Sequence, residues 1–505
     1  MARTYAEIQA LKPTTPEQDL IAACKEGQFC TLGDGTRPDG PDPARLIRAE
    51  ILRYLILGGC DDCRVHEWGV QLVGAYVAGQ LDLSFATAKG ITAMESCHFT
   101  QPIVAMQTRV EMLALNDSLF PGLNAQGMNS AGPIVLRGVA VYGEVSLSGA
   151  RIGGQLSCTG ARFSNAAGMA LNAQGVNVTA DVFLRDVGAD GEVSLYGARI
   201  GGQLSCTGAR LINANGDALN ARRLRVTEGL FWRQVTVTEG SVDLASAQIG
   251  DLVDDLSSWP EAGRLYLDGF TYDRISGAFT DTRQRLDWLS RGTVWKGEFF
   301  PQPYTHLAKV YREMGHDKAA RAVLVERNRL LAVHERETIR KAAGDASWKD
   351  LRLAWRWAVD WLLHHLVGYG YKPFRSLGWL VLLWLITVWL AVSSWHEGSM
   401  VPASAVVLTS PDWRAIEADR HAAAFWSATR GPGQDYETFS AAGWAADLVV
   451  PILDLGQTAA WAPSTARGPV GAVLWWARWL LQAAGWLVMG LFAAAVTGII
   501  RREED

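Results

Sequence analysis

The chain reads as a mixed fold: a β-solenoid behind an N-terminal helical cap, then a helical hairpin, then a C-terminal two-span α-helical membrane module. Three observations lead there. Residues 143–162, GEVSLSGARIGGQLSCTGAR, return almost letter for letter at 191–210, 48 residues later, with only Ser148 against Tyr196 different. Within each copy, apolar residues alternate with small or polar ones on a finer beat of eleven, GEVSLSGARIG then GQLSCTGARFS. Third, 16 of the 21 tryptophans lie after residue 347, which implies water as the solvent of the first part and lipid as that of the last.

Self-similarity at a fixed period of about 20–50 residues marks units that bury their apolar faces on one another, so it decides the architecture before any local reading. A chain of 505 residues exceeds one ordinary core, and about two to four modules are expected. The net charge of −5, with 20% charged residues, argues against a nucleic-acid binder, which needs a basic face. The opening MARTYAEIQALKPTTPEQDL has no apolar core behind a basic start, so the first modules are expected to stay in the cytosol. Seven cysteines, an odd number without a dense framework, fit a reducing compartment.

Residues 1–65 are expected to form the helical cap. Thr15 stands before Pro16-Glu17-Gln18 as an N-cap with Pro at the first helical position. ARLIRAEILRYLILGG (44–59) reads as an amphipathic helix stopped by Gly58-Gly59. Residues 66–280 carry the repeats. Val145, Leu147, Ile152, Leu156, Cys158 and Phe163 alternate with small or polar residues, which means short strands with one buried face. Gly-Ala between them marks tight corners. The 48-residue unit should supply about two coils. GQLDLSFA (79–86) and GSVDLASAQIG (240–250) are degenerate copies, and RLYLDGFTYDRI (264–275) is the expected last rung. Residues 281–346 switch to a helical period. THLAKVYREMG (305–315) and HDKAARAVLVERNRLLAVHERETIRK (316–341) form a hairpin, with Gly315 ending the first helix and Asp317 capping the second. Its Tyr311/Ala320/Leu324 spacing resembles one tetratricopeptide-type pair.

Residues 347–375 hold an interfacial helix and linker: SWKDLRLAWRWAVDWLLHHL mixes Trp and Leu with Lys349, Arg352 and Arg356. Residues 376–505 form the membrane module, with spans at about 376–395 and 479–500, each long enough to cross ~30 Å of hydrocarbon. Lys372 and Arg375 precede the first span and Arg501-Arg502 follow the second, while the loop 396–470 has four Arg, no Lys and eight acidic residues. The positive-inside rule places both termini in the cytosol. AAGWAADLVVPILDLGQTAAW (441–461) is too short and too acidic for a span, and reads as re-entrant or interfacial.

The chain resembles a bacterial family of membrane-anchored proteins with pentapeptide-like β-solenoid repeats. The stretches that carry the resemblance are PQPYTHLAKVYREMGHDKAARAVLVERNR (301–329), GYGYKPFRSLGWL (368–380), LVVPILDLGQTAAWAP (448–463) and GWLVMGLFAAAVTGIIRRE (485–503), in that order behind the repeats. It implies a right-handed solenoid. The family is uncharacterised, and its members are sometimes labelled membrane-associated oxidoreductases. The membrane module is also similar in layout to two-span ion channels, with a pore-loop-like segment between the spans. It departs from them at the filter, where VVPILDLGQ (449–457) stands in place of a TVGYG-type loop.

Few residues carry chemistry. Cys60 and Cys63, with His66 near and Cys24 and Cys30 the nearest further thiols, form the one metal-like or redox-like cluster, and an incidental loop is the favoured reading. Cys158 and Cys206 are expected as a stacked buried pair. Glu144, Asp181, Asp186 and Glu192 read as solvated coil charges. Asp447 and Asp454, seven apart in the apolar pre-span segment, would share a helix face and are the candidate membrane-depth carboxylates. Arg222, Arg223, Arg225 and Arg233 form a candidate basic strip for an acidic partner or anionic lipid. Gly485, Gly490, Ala493, Ala494 and Gly498 could pack a second copy. No G-x-G-x-x-G, P-loop, G-x-S-x-G or H-E-x-x-H occurs.

The expected function is a membrane-tethered solenoid scaffold or interaction protein at the cytoplasmic face of the bacterial inner membrane. Its partners would be the bilayer and another protein, with homo-oligomerisation open, and no nucleic acid, catalytic residue, cofactor or metal is expected. An oligomeric or sensor-gated pore is the alternative, and a membrane-associated oxidoreductase the second alternative.

Overall fold

The computed structural model describes residues 4–277, 281–295, 297–342, 348–428 and 430–498. It divides into two compact units, residues 1–323 and 324–505. The first is built on a parallel β-solenoid of about nine turns.

Four columns of short parallel pairings run along the solenoid. One column holds Arg109, Asn129, Arg151, Asn177, Arg199, Arg225 and Gln248 in successive turns. Another holds Val104, Asn124, Ser146, Asn172, Ser194, Asn220, Asp243 and Tyr266. A third includes Leu119, Ala140, Arg162, Gly188, Arg210 and Thr236. The fourth includes Val135, Ser157, Phe183, Ser205, Phe231 and Val253. The alternating apolar residues point inward, with Val145, Leu147, Leu156 and Cys158 all at 0% exposure.

The 48-residue period is two unequal turns: 22 residues separate Asn129 from Arg151, and 26 separate Arg151 from Asn177. The longer turns bulge at 165–168 and 213–216. Asn165 Nδ2 donates to Met169 O, and Asn213 Nδ2 to Asp217 O, each at 2.7 Å, so the two bulges close in the same way. One turn on, Gly191 and Gly240 sit at φ +120° and +87°, where an added Cβ would lie 2.3 Å from Asn165 O and 2.6 Å from Asn213 O. Only glycine fits under the bulge. Because the unit is two turns, Cys158 and Cys206 do not stack on each other. Each cysteine N–H bonds to the next turn, Cys158 to Phe183 O and Cys206 to Phe231 O, and Leu184 holds the equivalent place in the turn between them.

The ends are covered differently from the expectation. At the N-terminus, α1 (Tyr5–Ala10), α2 (Thr15–Glu26) and α3 (Ala49–Ile56) form the cap. Within it, however, Cys30–Thr31 pairs with Leu72–Val73, and Leu46–Arg48 pairs with Tyr76–Ala78, so the first turn begins inside residues 1–65. ARLIR starts as a strand with Ile47 inward, and the helix takes over at Ala49. Thr14, one residue before Thr15, is the N-cap of α2. Glu17, fully buried, accepts from Thr14 N (2.9 Å) and from Arg48 Nη2 (2.6 Å), which ties α2 to that strand. At the other end, α4 (Thr282–Gly292) lays Trp288 against Trp259, itself stacked on Trp232 at 5.1 Å. Arg285 Nη1 and Nη2 donate to the two Asp254 oxygens at 2.8 and 2.6 Å, both residues being 2% exposed or less. Helix α5 (Gln302–Glu313) follows, Gly315 turns the chain at φ +82°, and Asp317 opens α6 (Asp317–Ala342), which runs across the division between the units.

The second unit contains α7 (Trp348–Leu362), a π-turn at Leu363–Val367, and α8 (Arg375–Glu397). Short helices α9 (Ala405–Leu408), α10 (Pro411–Ile416) and α11 (Ala422–Trp426) precede α12 (Ala441–Val449), α13 (Gln457–Ala460) and α14 (Pro469–Val496). Helices α8 and α14 are long and apolar enough to cross a membrane, and only 17% of each apolar window is buried, unlike the core helix of a soluble protein. The second of these helices starts at Pro469, ten residues before the expected Trp479, and residues 499–505, with Arg501-Arg502, lie outside the described residues. Arg478 does not interrupt the helix because its guanidinium rests over the rings of Trp475 and Trp479, 5.0 and 4.8 Å from their centroids.

Candidate functional site

The arginines that lie close in sequence diverge in space. Arg222 Nε faces Asp243 at 3.6 Å, Arg223 Nη1 donates to Tyr196 Oη at 3.4 Å, and Arg233 Nη2 donates to Gly277 O at 2.6 Å. They leave the turn in different directions because successive residues turn a corner there, with Arg223 at φ +55°. Arg225 belongs to another array. It extends the column of Arg109, Arg151 and Arg199, all exposed, with Asn129 and Asn177 between. Parallel strands lie about 4.8 Å apart, so the first three arginines repeat every ~9.6 Å and the fourth adds one step. Among the described residues none of these four guanidinium groups enters an ion pair. Reading the chain linearly missed Arg109, Arg151 and Arg199. The available signal was the copied segment, which sets Arg151 and Arg199 in equivalent places.

The solenoid carboxylates are mostly engaged. Glu144 accepts from Asn172 Nδ2 (3.0 Å), Glu192 from Asn220 Nδ2 (3.2 Å) and Asp181 from Gln203 N (2.9 Å), while Asp186 stands exposed at a corner with φ +54°.

In the second unit, Asp447 and Asp454 do not share a helix face. Helix α12 ends at Val449, before Pro451, and the chain reverses. Asp447 Oδ1 then accepts from Leu455 N (2.8 Å), and its Oδ2 from Thr458 N (2.8 Å) and Oγ1 (2.9 Å). Asp454 sits at the exposed tip between Leu453 and Leu455, its Oδ1 accepting from Gly456 N (3.2 Å). The segment forms a hairpin inserted along the two long helices. Phe439 stacks on Trp395 at 4.5 Å, Trp384 Nε1 donates to Ala442 O at 3.1 Å, and Gly485 lies against Val449 O. The end of α8 is level with the start of α14, since Glu397 accepts from Val470 N and Gly471 N. At 1.5 Å per residue, Trp384 and Gly485 are both roughly 20 Å along their helices from that level, so α12 packs against the middle of the two long helices. Gly485 is thus spent on packing α12, whereas Gly490 faces open space.

Cys60 and Cys63 face each other across a two-strand hairpin, Gly59–Cys60 against Cys63–Arg64. Tyr54 Oη donates to Cys60 Sγ (3.1 Å) and holds that thiol below its ordinary value, while burial raises Cys63. His66 Nδ1 accepts from Trp68 N at 3.2 Å. Among the described residues no group of three or more His, Cys, Asp or Glu is placed to hold a metal ion. No protein-family model, curated protein or solved structure matches this chain.

Proposed function

We propose that this protein is a membrane-tethered interaction module whose solenoid offers its arginine column to an acidic protein partner. Helices α8 and α14 would hold it at the cytoplasmic face of the bacterial inner membrane with both termini in the cytosol, in keeping with Lys372 and Arg375 before the first span and the acid-rich loop after it. The observation that carries the reading is the column itself. Four unpaired guanidinium groups in line repel one another, and an extended acidic surface relieves that repulsion and fixes register at once. A photo-crosslinking residue in place of Asn177, between Arg151 and Arg199, should trap the partner in cells. The adduct should vanish in R151E/R199E and survive R162E/R210E, which reverses charge on a different column. An adduct indifferent to R151E/R199E, or equally lost in both, overturns the reading.

A second reading, an oligomeric pore, is favoured by the exposed Asp454 at the hairpin tip, since a carboxylate at membrane depth needs water, a cation or a partner. Conductance in planar bilayers that is lost in D454N supports it, and conductance unchanged in D454N removes Asp454 from the pathway.

A further inference from the structure

We propose that the last turns of the solenoid carry a binding pocket for a small ammonium-bearing molecule, walled by Asp217, Asp243, Tyr266 and Trp295. This site is separate from the arginine column and does not depend on it.

Along one column of the repeat, Asn124, Ser146, Asn172, Ser194 and Asn220 occupy successive turns, all neutral. The amides of Asn172 and Asn220 each donate to a glutamate of the preceding turn. In the next turn the column becomes Asp243, and after it Tyr266. A carboxylate cannot donate, and it costs more to bury than an amide. Asp243 is nonetheless only 7% exposed. Its Oδ1 accepts from Ala245 N at 2.8 Å, but its Oδ2 meets Arg222 Nε only at 3.6 Å, too far for a hydrogen bond. Asp217, directly after the second bulge, accepts from Ser241 Oγ at 2.5 Å and adds a second negative charge nearby. Burial pushes the Asp243 carboxyl above its usual range, and Ala245 N–H and Arg222 only partly oppose that. Asp82, at the start of the same column, caps its corner in the same way, but it is less buried and its carboxyl is held below its usual range by its bonds to Ser84.

These departures converge on one cavity of about 290 Å³, near the lower end of the ~300–1,000 Å³ of small-molecule sites. Asp217, Asp243 and Asp268 line it against one guanidinium, Arg222. Aromatic rings line it as well: Tyr266, the strand neighbour of Asp243, and Trp295 meet edge to face with centroids 5.8 Å apart, and Leu267 and Phe300 add apolar surface. Carboxylates together with aromatic rings are the chemistry that recognises an ammonium group. An anion would meet net negative charge there.

The test uses the full-length protein in detergent micelles, titrated calorimetrically with 1,4-diaminobutane and tetramethylammonium chlorides, with potassium chloride and glucose as controls. The D243N variant restores the residue that the column carries at Asn220, so it keeps the fold. Saturable binding of one ammonium probe per chain, weakened at least tenfold in D243N and several-fold in W295A, is the expected result. Ammonium probes that bind no better than potassium overturn the proposal. So does ammonium binding unchanged in both variants, or binding of glucose in place of the cations.

Discussion

Replacing Arg285 by methionine would strand a carboxylate inside the C-terminal cap of the solenoid. Asp254 now receives two guanidinium N–H groups, at 2.8 and 2.6 Å, and Trp259 Nε1 at 2.7 Å. In R285M only the indole donor would remain. Removing one partner of a buried pair costs about 3–5 kcal/mol, because the survivor stays desolvated. Each turn of a solenoid is held by its neighbours, so the loss should appear as opening of the terminal turns rather than as global unfolding. At 1.36 kcal/mol per factor of ten, the open population should rise roughly 150- to 5,000-fold. Hydrogen exchange of the full-length protein reads this directly. Amides of 248–275 should lose protection by that factor, up to the limit of the protection they have, while 129–163 should not change. The double variant D254L/R285M removes both charges and should recover most of the loss, since apolar replacement of a buried pair is commonly neutral or stabilising by ~1–4 kcal/mol. Exchange in R285M within threefold of the wild type refutes this reasoning. A double variant as open as the single does so too, and would leave the Trp232–Trp259–Trp288 stack as what holds the cap.

Acid should loosen α5. Burial holds His306 below the ordinary histidine value, and its Nε2 lies 2.9 Å from Tyr272 N. The unfolded ring protonates first, so the stabilisation is complete above about pH 6.5 and fades as pH falls from there through the lowered folded value. Exchange of 302–313 should accelerate between pH 7.5 and 5.5 in the wild type beyond any change in H306Q, and equal changes in both would exclude this histidine. At the membrane hairpin, a Cβ on Gly485 would lie 2.0 Å from Val449 O, backbone against backbone, whereas Gly490 has nothing within 4 Å. G485V should displace α12 and raise maleimide labelling of a Leu448→Cys probe, buried in the native packing, about tenfold, with G490V silent. Equal labelling in both would place α12 elsewhere. Among the thiols, Cys60 should react first with a disulfide reagent. Its thiolate is favoured by Tyr54, whereas burial pushes Cys24, Cys97, Cys158 and Cys206 up to about 12 and Cys30 to about 11. One fast equivalent, absent in C60S, is the expected trace, and a fast phase that persists in C60S would contradict it.

The solenoid was readable because a period of two puts Val145, Leu147, Leu156 and Cys158 on one side whatever the number of turns. The bulges were not, because 165–168 and 213–216 fall just outside the copied segment and their loops close through asparagine side chains rather than an apolar beat. The strand at Leu46–Arg48 was hidden for a different reason. Three residues of alternation run straight into the amphipathic Ala49–Ile56, and a helical period absorbs them. The early start of α14 was masked by Arg478, which appears as a boundary until two tryptophan rings are seen to carry its charge inside the helix.

Functional residues in a repeat protein are found along the axis, and linear proximity misplaces them. Arg222, Arg223, Arg225 and Arg233 are neighbours in the chain and point apart, while Arg109, Arg151, Arg199 and Arg225 span 116 residues and form one line. The same logic divides the two carboxylates of the hairpin. A spacing of seven unites Asp447 and Asp454 only if the helix continues, and it stops at Val449. Asp447 is then consumed in closing the hairpin, with three donors on its two oxygens. Asp454, held by a single turn contact, is the carboxylate left facing outward. Loss of function in a variant lacking both would therefore conflate a collapsed hairpin with a lost site. Asp454 alone bears on a pathway, just as Asp243, the buried acid that follows five turns of amides and hydroxyls in its column, marks the pocket.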